Sequence, residues 1–383
     1  MSERLRRILA SVLFTAGAFA LLFVLTGLLK PITYSRDTWR DYKALAPNSV
    51  DVVVVGNSHA YTSYAPMQTW RDYQITTWNI GASAINMRTK RAYVEELLKT
   101  QTPEVLALEV HPLEQETVVG DRENKWAYDF MPWSASRIAA IVDTAVPTKW
   151  ERYLFPISNN HQNYVDFSVG DFAKWVGIKD DPSRGGANAL ITRPPSEGDA
   201  AADGNAQGLP GDAANNDGAN GDAGNGTGET AAVEDESAAE KADAERTYAE
   251  SVVEIRRIAD MCEERDIQLL LWLGPVEEGF TGADNPLIKL EAELKADYPD
   301  IVYSNSSDHA AEIGLTPEDY RDWGHIYAWG MKKHTAWFVE TVLADLGITG
   351  PSDTPDTAWW DRESAQWNPP SSLAEADAQE GDK

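Results

Sequence analysis

The sequence predicts an α/β fold of three layers, in which helices cover both faces of a parallel sheet. Short runs of β-branched and aliphatic residues recur along the chain, and segments with helical spacing separate them. Parallel pairing needs such crossover segments, and strands that are buried on both faces are near-continuous apolar runs. A long uncharged stretch precedes this pattern, and it predicts one transmembrane helix in front of the domain.

The transmembrane helix is predicted over residues 8–29, which carry no charge. This run is long enough to cross a hydrocarbon core of about 30 Å. Arginines at positions 4, 6 and 7 precede it, so the positive-inside bias places residues 1–7 in the cytoplasm and the rest of the chain outside. A cleaved signal peptide is the competing interpretation, but the run exceeds the usual length and no small-residue cleavage site follows it. We therefore expect a single-pass anchor in the cell membrane with an extracytoplasmic C-terminal domain.

The sheet elements follow in order along the chain. Strands are predicted at 49–55, 75–80 and 104–110, with helices at 65–74 and 89–100 between them. An irregular region rich in aromatic residues, 121–178, is expected to form an insertion or a cap over the sheet edge. The pattern resumes with a helix at 246–265, a strand at 267–273, a helix at 286–297, a strand at 301–304 and a final helix at 330–346. Ligands of such folds bind at the carboxyl ends of the strands.

Two segments are expected to stay outside the packed domain of residues 30–349. Residues 194–245 are Gly, Ala, Asn and Asp with few large apolar residues, so they predict a disordered acidic insertion. Residues 350–383 are rich in Pro, Asp, Ser and Glu and predict a flexible acidic tail, in which Trp359, Trp360 and Trp367 are able to dock.

The composition excludes several classes of function. The net charge is −28, from 61 acidic and 33 basic residues, and the chain lacks the clustered Lys and Arg that nucleic-acid binding requires. A single cysteine, Cys262, allows neither an intrachain disulfide nor a thiolate metal site. The zinc motif HExxH and phosphate-binding loops are absent from the sequence, so we expect no metal and no cofactor.

Three residues carry the predicted chemistry. Ser58 follows the first strand in the sequence GNSHAY, where Gly56 permits a tight turn and a helix can begin. Asp322 and His325 lie three residues apart before the last helix, a spacing that lets the carboxylate orient the imidazole. Taken singly, Ser58 is equally well explained as a helix cap, and Asp322 and His325 are better explained as a helix or turn cap and a surface histidine. A serine nucleophile needs all three parts together.

These blocks resemble the SGNH (GDSL) hydrolase superfamily, which has a flavodoxin-like fold. Its first block corresponds to Gly56 through Ser58 and its last to Asp322 through His325, and the resemblance covers about residues 50–346. The sequences GNSHAYTSYAPM, NIGASAIN and DWGHIYAWGMKKHT are most similar to a membrane-anchored bacterial group related to the D-alanyl-lipoteichoic acid protein D and the polysaccharide O-acetyltransferases. The resemblance implies Ser58 as nucleophile, His325 as base and Asp322 as its partner. It also implies an oxyanion hole formed by the amides of Ser58 and Gly81.

Other polar residues near these blocks have open roles. The superfamily carries an asparagine after the third strand, whereas this chain has Glu109 in the sequence LEVHP, so the third oxyanion donor is in question. Glu109 either binds substrate or holds a loop. His161 matches a histidine of the membrane-anchored relatives or is a polar loop residue, and His59 faces either the pocket or a neighbouring turn. His334 is expected at the surface or on a helix.

The leading functional hypothesis is therefore an enzyme that moves or removes an ester-linked acyl group on a cell-surface glycopolymer. The resemblance implies that it works beside a multi-spanning membrane acyltransferase. The alternative is a catalytically silent scaffold of the same fold that binds a membrane partner or a wall polymer. Aromatic residues of the middle region either form a sugar-stacking wall or pack the domain: Trp126, Tyr128, Phe130, Trp133, Trp150 and Trp175.

Overall fold

Five parallel strands form the central sheet of the computed structural model, which describes residues 2–29, 34–114, 127–129, 131–155, 157, 168–175, 183–188 and 230–381. The strands are β1 (Val52–Gly56), β2 (Thr77–Gly81), β3 (Val105–Glu109), β4 (Gln268–Leu273) and β5 (Val302–Asn305). Their order across the sheet is β2, β1, β3, β4, β5, and every neighbouring pair is parallel. Each overlaps a predicted strand, so the predicted α/β class with a parallel sheet is confirmed.

The helices lie before, between and after these strands. Their bounds are α1 (Glu3–Leu28), α2 (Tyr34–Ala44), α3 (Ser58–Tyr61), α4 (Pro66–Tyr73), α5 (Met87–Leu97), α6 (Ala135–Thr144), α7 (Trp150–Leu154), α8 (Val169–Trp175), α9 (Thr230–Glu263), α10 (Pro286–Leu294), α11 (Ala310–Ile313), α12 (Ala328–Trp337), α13 (Thr357–Ala365) and α14 (Leu373–Gly381). A π-helical segment, Phe338–Leu343, continues α12. Two short antiparallel strands, β6 (Tyr320–Asp322) and β7 (His325–Ile326), precede it.

Side chains that alternate along the strands fill a core layer on each face of the sheet. Val53 and Val55 of β1 belong to one buried cluster, which also contains Tyr93 of α5 and residues of α9 and α10. Val52 and Val54 belong to a second cluster with Phe338 and other residues of the segment after α12. Because successive residues of a strand point to opposite faces, this division follows from the two-residue period of the strands. Helices therefore cover both faces, as the apolar strands predicted.

The N-terminal helix α1 is long and apolar enough to cross a membrane, and its span includes most of the predicted segment 8–29. None of its residues is buried in the protein. Residues 25–29 at its C-terminal end are half-buried, and helix α8 of the domain contacts α1. The membrane topology, with the domain outside, remains a prediction.

The predicted acidic insertion differs from the structure in its second part. Residues 194–229 lie outside the described residues, but 230–245 form the first turns of α9, which was expected to begin only at residue 246. This segment is rich in Ala and Glu, which have high helix propensity, and it continues directly into a buried helix. The low apolar content was therefore a poor guide to helix formation here.

The prediction of a flexible C-terminal tail is wrong for its described part. Helices α13 and α14 lie within it, and Trp360 and Trp367 are buried to 0% and 4% exposure. The indole of Trp360 stacks on that of Trp70 at 5.8 Å between ring centroids, and the Trp70 indole N–H donates to Asp361. Tryptophans bury a large apolar area, and here this burial fixes a segment whose average composition is that of a linker.

Candidate active site

Ser58 lies at the carboxyl edge of the sheet, in the tight connection between β1 and the short helix α3. The preceding Asn57 caps this helix, because its side-chain oxygen accepts the His59 amide at 2.9 Å and its amide group donates to the His111 carbonyl at 2.6 Å. A side chain at Gly56 would come within 2.5 Å of Ala60 and 2.7 Å of Glu109, so the turn requires glycine. The local sequence thus fixes the position of the half-buried Ser58.

The structure brings Ser58, His325 and Asp322 into one hydrogen-bonded series. The Nε2 atom of His325 lies 2.8 Å from the Ser58 hydroxyl oxygen, and its Nδ1 atom lies 2.7 Å from Oδ1 of Asp322. A carboxylate beside Nδ1 holds the neutral ring with its proton on Nδ1, which leaves Nε2 free to accept the serine proton. This arrangement can deprotonate a serine hydroxyl as it attacks a carbonyl carbon.

The partners of this series come from a hairpin rather than from an irregular loop. Asp322 ends β6 and His325 begins β7, and the two residues pair across the hairpin. The amide of Gly324 donates to the same Asp322 oxygen at 3.0 Å. Burial raises the pKa of Asp322, but the hydrogen bonds from His325 and Gly324 outweigh it and hold the pKa below the usual range. The carboxylate is therefore ionised when it faces the imidazole.

Gly81, the second predicted oxyanion donor, ends the strand next to β1. It pairs in register with Gly56, and a side chain there would lie 2.2 Å from the Gly56 carbonyl oxygen. Only glycine allows this close approach, which brings the end of β2 beside the turn of Ser58. The structure thus places Gly81 and Ser58 at one edge, and their role in holding an oxyanion remains a prediction.

Glu109 is fully buried and bonded beneath this edge. Its carboxylate accepts the Lys90 ammonium at 3.2 Å and the His111 amide at 2.9 Å, and both charged side chains are at most 1% exposed. Lys90 also donates to the carbonyls of Glu109 and His111, at 2.7 and 2.9 Å. Burial raises the pKa of Glu109, and the pull of Lys90 opposes this rise. Of its two open roles, the geometry supports holding the loop after β3.

His59 packs beside the candidate base as part of an aromatic wall. Its ring stacks on His111 at 4.8 Å and meets the His325 ring edge to face at 5.3 Å. A side chain at Gly324 would lie 2.8 Å from the His59 ring, so that glycine makes room for it. Burial lowers the pKa of His59 far below its usual value and that of His111 to about 3. Both rings are therefore neutral and add no positive charge beside His325.

Sequence reasoning missed three residues at this edge: Lys90, Trp323 and Phe280. The sequence signal that could have indicated Lys90 was the carboxylate of Glu109 at the end of a buried strand, because a buried charge needs a partner of opposite charge. Trp323 lies between Asp322 and His325, is 49% exposed and meets the His111 ring edge to face at 5.8 Å. Phe280 meets the same ring at 4.7 Å, and no local pattern linked it to this edge.

A second serine and histidine pair lies inside the domain. Nε2 of His334 is 2.8 Å from the Ser306 hydroxyl oxygen, and Nδ1 faces the Ser63 carbonyl oxygen at 2.7 Å. His334 lies on helix α12, which is one of the two placements expected for it. Both His334 and Ser306 are 0% exposed. Burial lowers the pKa of His334 to about 4. With no access from solvent, this pair serves packing.

The remaining predicted residues are scattered. His161, Trp126 and Phe130 lie outside the described residues. Tyr128 is buried and bonded to Thr144, which favours packing, whereas Trp133 is 48% exposed. Within the described ranges, no group of three His, Cys, Asp or Glu residues is placed to hold a metal ion.

Comparison of the chain with protein-family models, with curated proteins and with solved structures gives no match.

Proposed function

We propose that this chain is an extracytoplasmic serine O-acyltransferase or esterase of the SGNH type, acting on acyl esters of a cell-surface glycopolymer. The observation that carries the proposal is the hydrogen-bonded series from Ser58 through His325 to Asp322, at 2.8 and 2.7 Å. Its position at the carboxyl ends of parallel strands, where α/β folds bind ligands, supports it further. The sequence blocks that resemble the superfamily supply these same residues.

The reaction follows from the positions of the protons. The Ser58 oxygen bonds to the ester carbonyl carbon while its proton passes to Nε2 of His325, and Asp322 stabilises the resulting imidazolium. Amides of Ser58 and Gly81 hold the negative oxygen, an interaction worth about 2.7 to 4 kcal/mol per donor in known enzymes. Collapse breaks the bond to the alcohol, which leaves with the proton from His325, and an acyl group stays on Ser58. Water then releases an acid, whereas a sugar hydroxyl receives the acyl group.

The open setting of the site favours a large substrate. The Asp322 and His325 side chains are 41% and 27% exposed, and the Trp323 indole beside them is 49% exposed. Sites for small molecules usually enclose most of the ligand surface in a concave pocket. A site at an open rim instead suits a chain that extends beyond it, and α1 supports a substrate near the membrane.

The test is covalent labelling of the full-length protein in mild detergent by a fluorophosphonate probe, which reacts with activated serines. The wild type should be labelled, and Ser58→Ala should not. Ser306→Ala is the matched control, because Ser306 has the same 2.8 Å contact with a histidine but is buried. It should be labelled like the wild type. Labelling of Ser58→Ala at the wild-type rate would overturn the nucleophile assignment, and an unreactive wild type would favour the silent scaffold.

Transfer and hydrolysis share the acyl-enzyme and differ only in the second acceptor. Mass analysis of the envelope glycopolymers from cells that lack the protein separates them. Loss of polymer esters would indicate transfer, and gain of esters would indicate hydrolysis. Complementation with Ser58→Ala should fail to restore the wild-type pattern in either case.

A further inference from the structure

Exposed apolar side chains are concentrated in one stretch of the chain. Among the described residues outside α1, ten large hydrophobic side chains are exposed, and seven of them fall between positions 133 and 172. We call these seven the apolar surface: Trp133, Ile138, Val142, Val146, Phe155, Val169 and Phe172, with exposures of 48%, 47%, 45%, 37%, 57%, 86% and 46%. Single exposed apolar residues are ordinary, but a concentration of them marks a site of contact.

The sequence of helix α6 places apolar residues on two of its sides. Ala140 and Ile141 are fully buried, and the helix packs on α5 with this side. Ile138 and Val142 lie one turn apart, on a second apolar side that the protein leaves uncovered. A soluble surface helix would carry polar residues there.

Trp133 is fixed at the surface by the side chain of Arg137. The guanidinium of Arg137 lies 3.9 Å from the centre of the Trp133 ring. Arg137 is itself buried and donates to the carbonyls of Met131 at 2.7 Å and Tyr153 at 3.4 Å. A buried, bonded cation thus fixes one face of the indole, while 48% of Trp133 stays exposed. Tryptophan, with an apolar ring and a polar N–H, is enriched at the boundary between lipid and water.

Part of the apolar surface lies beside the candidate membrane helix. Helix α8 carries Val169 and Phe172, and it contacts α1 directly. The C-terminal end of α1, residues 25–29, is also its half-buried part. Contact of this surface with the bilayer would therefore hold the domain close to the membrane that α1 crosses.

We propose that the apolar surface rests in the headgroup region of the bilayer that α1 crosses. Amphipathic helices that lie in this region bury their apolar sides about 5 to 10 Å deep. Lipid is the occupant that the structure favours, because the surface adjoins the one described helix able to span a membrane. The inference rests on the membrane anchor of the proposed function and not on its chemistry.

The test uses the full chain in lipid nanodiscs, with single cysteines labelled by an environment-sensitive fluorophore. The native Cys262 is buried, and it is replaced by alanine in every variant. Labels at Ile138→Cys and Val142→Cys report on the apolar surface. The matched controls are Val253→Cys and Ile288→Cys, because these residues are comparably exposed, at 48% and 55%, but lie outside it. Nitroxide-bearing lipids quench only fluorophores that reach the bilayer.

Nitroxide lipids should quench the labels at 138 and 142 about twofold or more beyond those at 253 and 288. Equal quenching at the four positions would overturn the proposal. Blue-shifted but unquenched labels at 138 and 142 would also overturn it, because protein would then cover the surface. Failure of the chain to enter nanodiscs would overturn the anchor with it. None of these outcomes depends on labelling of Ser58, so the catalytic proposal stands or falls separately.

Discussion

Replacing Asp322 by asparagine tests the candidate site most sharply. The Oδ1 atom of Asp322 accepts two N–H groups, from His325 at 2.7 Å and from Gly324 at 3.0 Å. If the carboxamide of Asp322→Asn turned its NH₂ group to this position, it would oppose both donors. The amide oxygen therefore stays in place, and His325 keeps the tautomer that accepts the serine proton. The variant loses only the negative charge that stabilises the imidazolium.

The size of that loss follows from the separation and exposure of the pair. Two unit charges 2.7 Å apart attract by about 1.5 kcal/mol in water and by about 6 kcal/mol at an effective dielectric constant of about 20. Because the side chains of Asp322 and His325 are 41% and 27% exposed, solvent screening favours the lower part of this range. We take about 2 kcal/mol as the loss of transition-state stabilisation in Asp322→Asn, which corresponds to about a 30-fold slower reaction.

The assay is the pseudo-first-order rate of fluorophosphonate labelling at fixed pH, compared among wild type, Asp322→Asn and Asp322→Ala. The asparagine variant should react about 10- to 100-fold more slowly, and the alanine variant more slowly still, because His325 then has no acceptor to hold its ring. Asp308→Asn is the control, since this carboxylate also accepts an amide group, from Asn305 at 2.9 Å, but lies outside the site. A loss of about 10⁴ in Asp322→Asn would refute the reasoning, because the wrong tautomer would then have formed. An unchanged rate would remove Asp322 from the mechanism.

Two further predictions concern stability. Lys90→Met leaves the Glu109 carboxylate buried without its cation and should lower the free energy of unfolding by about 3 to 5 kcal/mol, whereas adding Glu109→Gln should recover part of the loss. Urea unfolding followed by tryptophan fluorescence measures both changes. A loss near zero in Lys90→Met would contradict the buried pair. The folded-state pKa of His334 is about 4, against a usual value of 6.5. Its neutral form therefore contributes fully above pH 6.5, and stability falls as pH drops towards 4, because only the unfolded chain then binds the proton. At about pH 5 the loss should be about 2 kcal/mol relative to neutral pH, and His334→Gln should have a correspondingly weaker pH dependence of unfolding. Equal pH dependence in the two proteins would rule this contribution out.

The sheet could be predicted from the sequence because its strands are short, apolar and separated by helical segments. Runs such as VVVV, residues 52–55, are typical of strands buried on both faces of a parallel sheet, and the structure has them there. The C-terminal tail could not be predicted in this way. Its average composition is that of a linker, but the burial of Trp360 and Trp367 against distant residues decides the outcome. Composition averages over a segment, whereas docking depends on single large side chains.

The residues of the candidate site also differ in whether the local sequence predicts them. Ser58 and His325 follow local patterns, a glycine turn after a strand and an Asp-x-x-His spacing, and the fold brings them within hydrogen-bond distance. Lys90 is separated from Glu109 by 19 residues and has no such pattern of its own. The requirement for it is visible only when Glu109 is known to be buried. A buried charge predicts the existence of a partner but not its position in the chain.

The two serine and histidine pairs of this domain show which features make a nucleophile. Both have an oxygen to Nε2 distance of 2.8 Å, and in both an acceptor faces Nδ1, so the tautomer is the same. They differ in the acceptor, which is the Asp322 carboxylate in one pair and the Ser63 carbonyl in the other, and in access to solvent. A neutral carbonyl orients the ring but stabilises an imidazolium less than a carboxylate does. Ser306 also lies where no ester can reach it. The hydrogen bond to histidine is therefore insufficient by itself, and Ser58 is distinguished from Ser306 by Asp322 and by the open edge of the sheet.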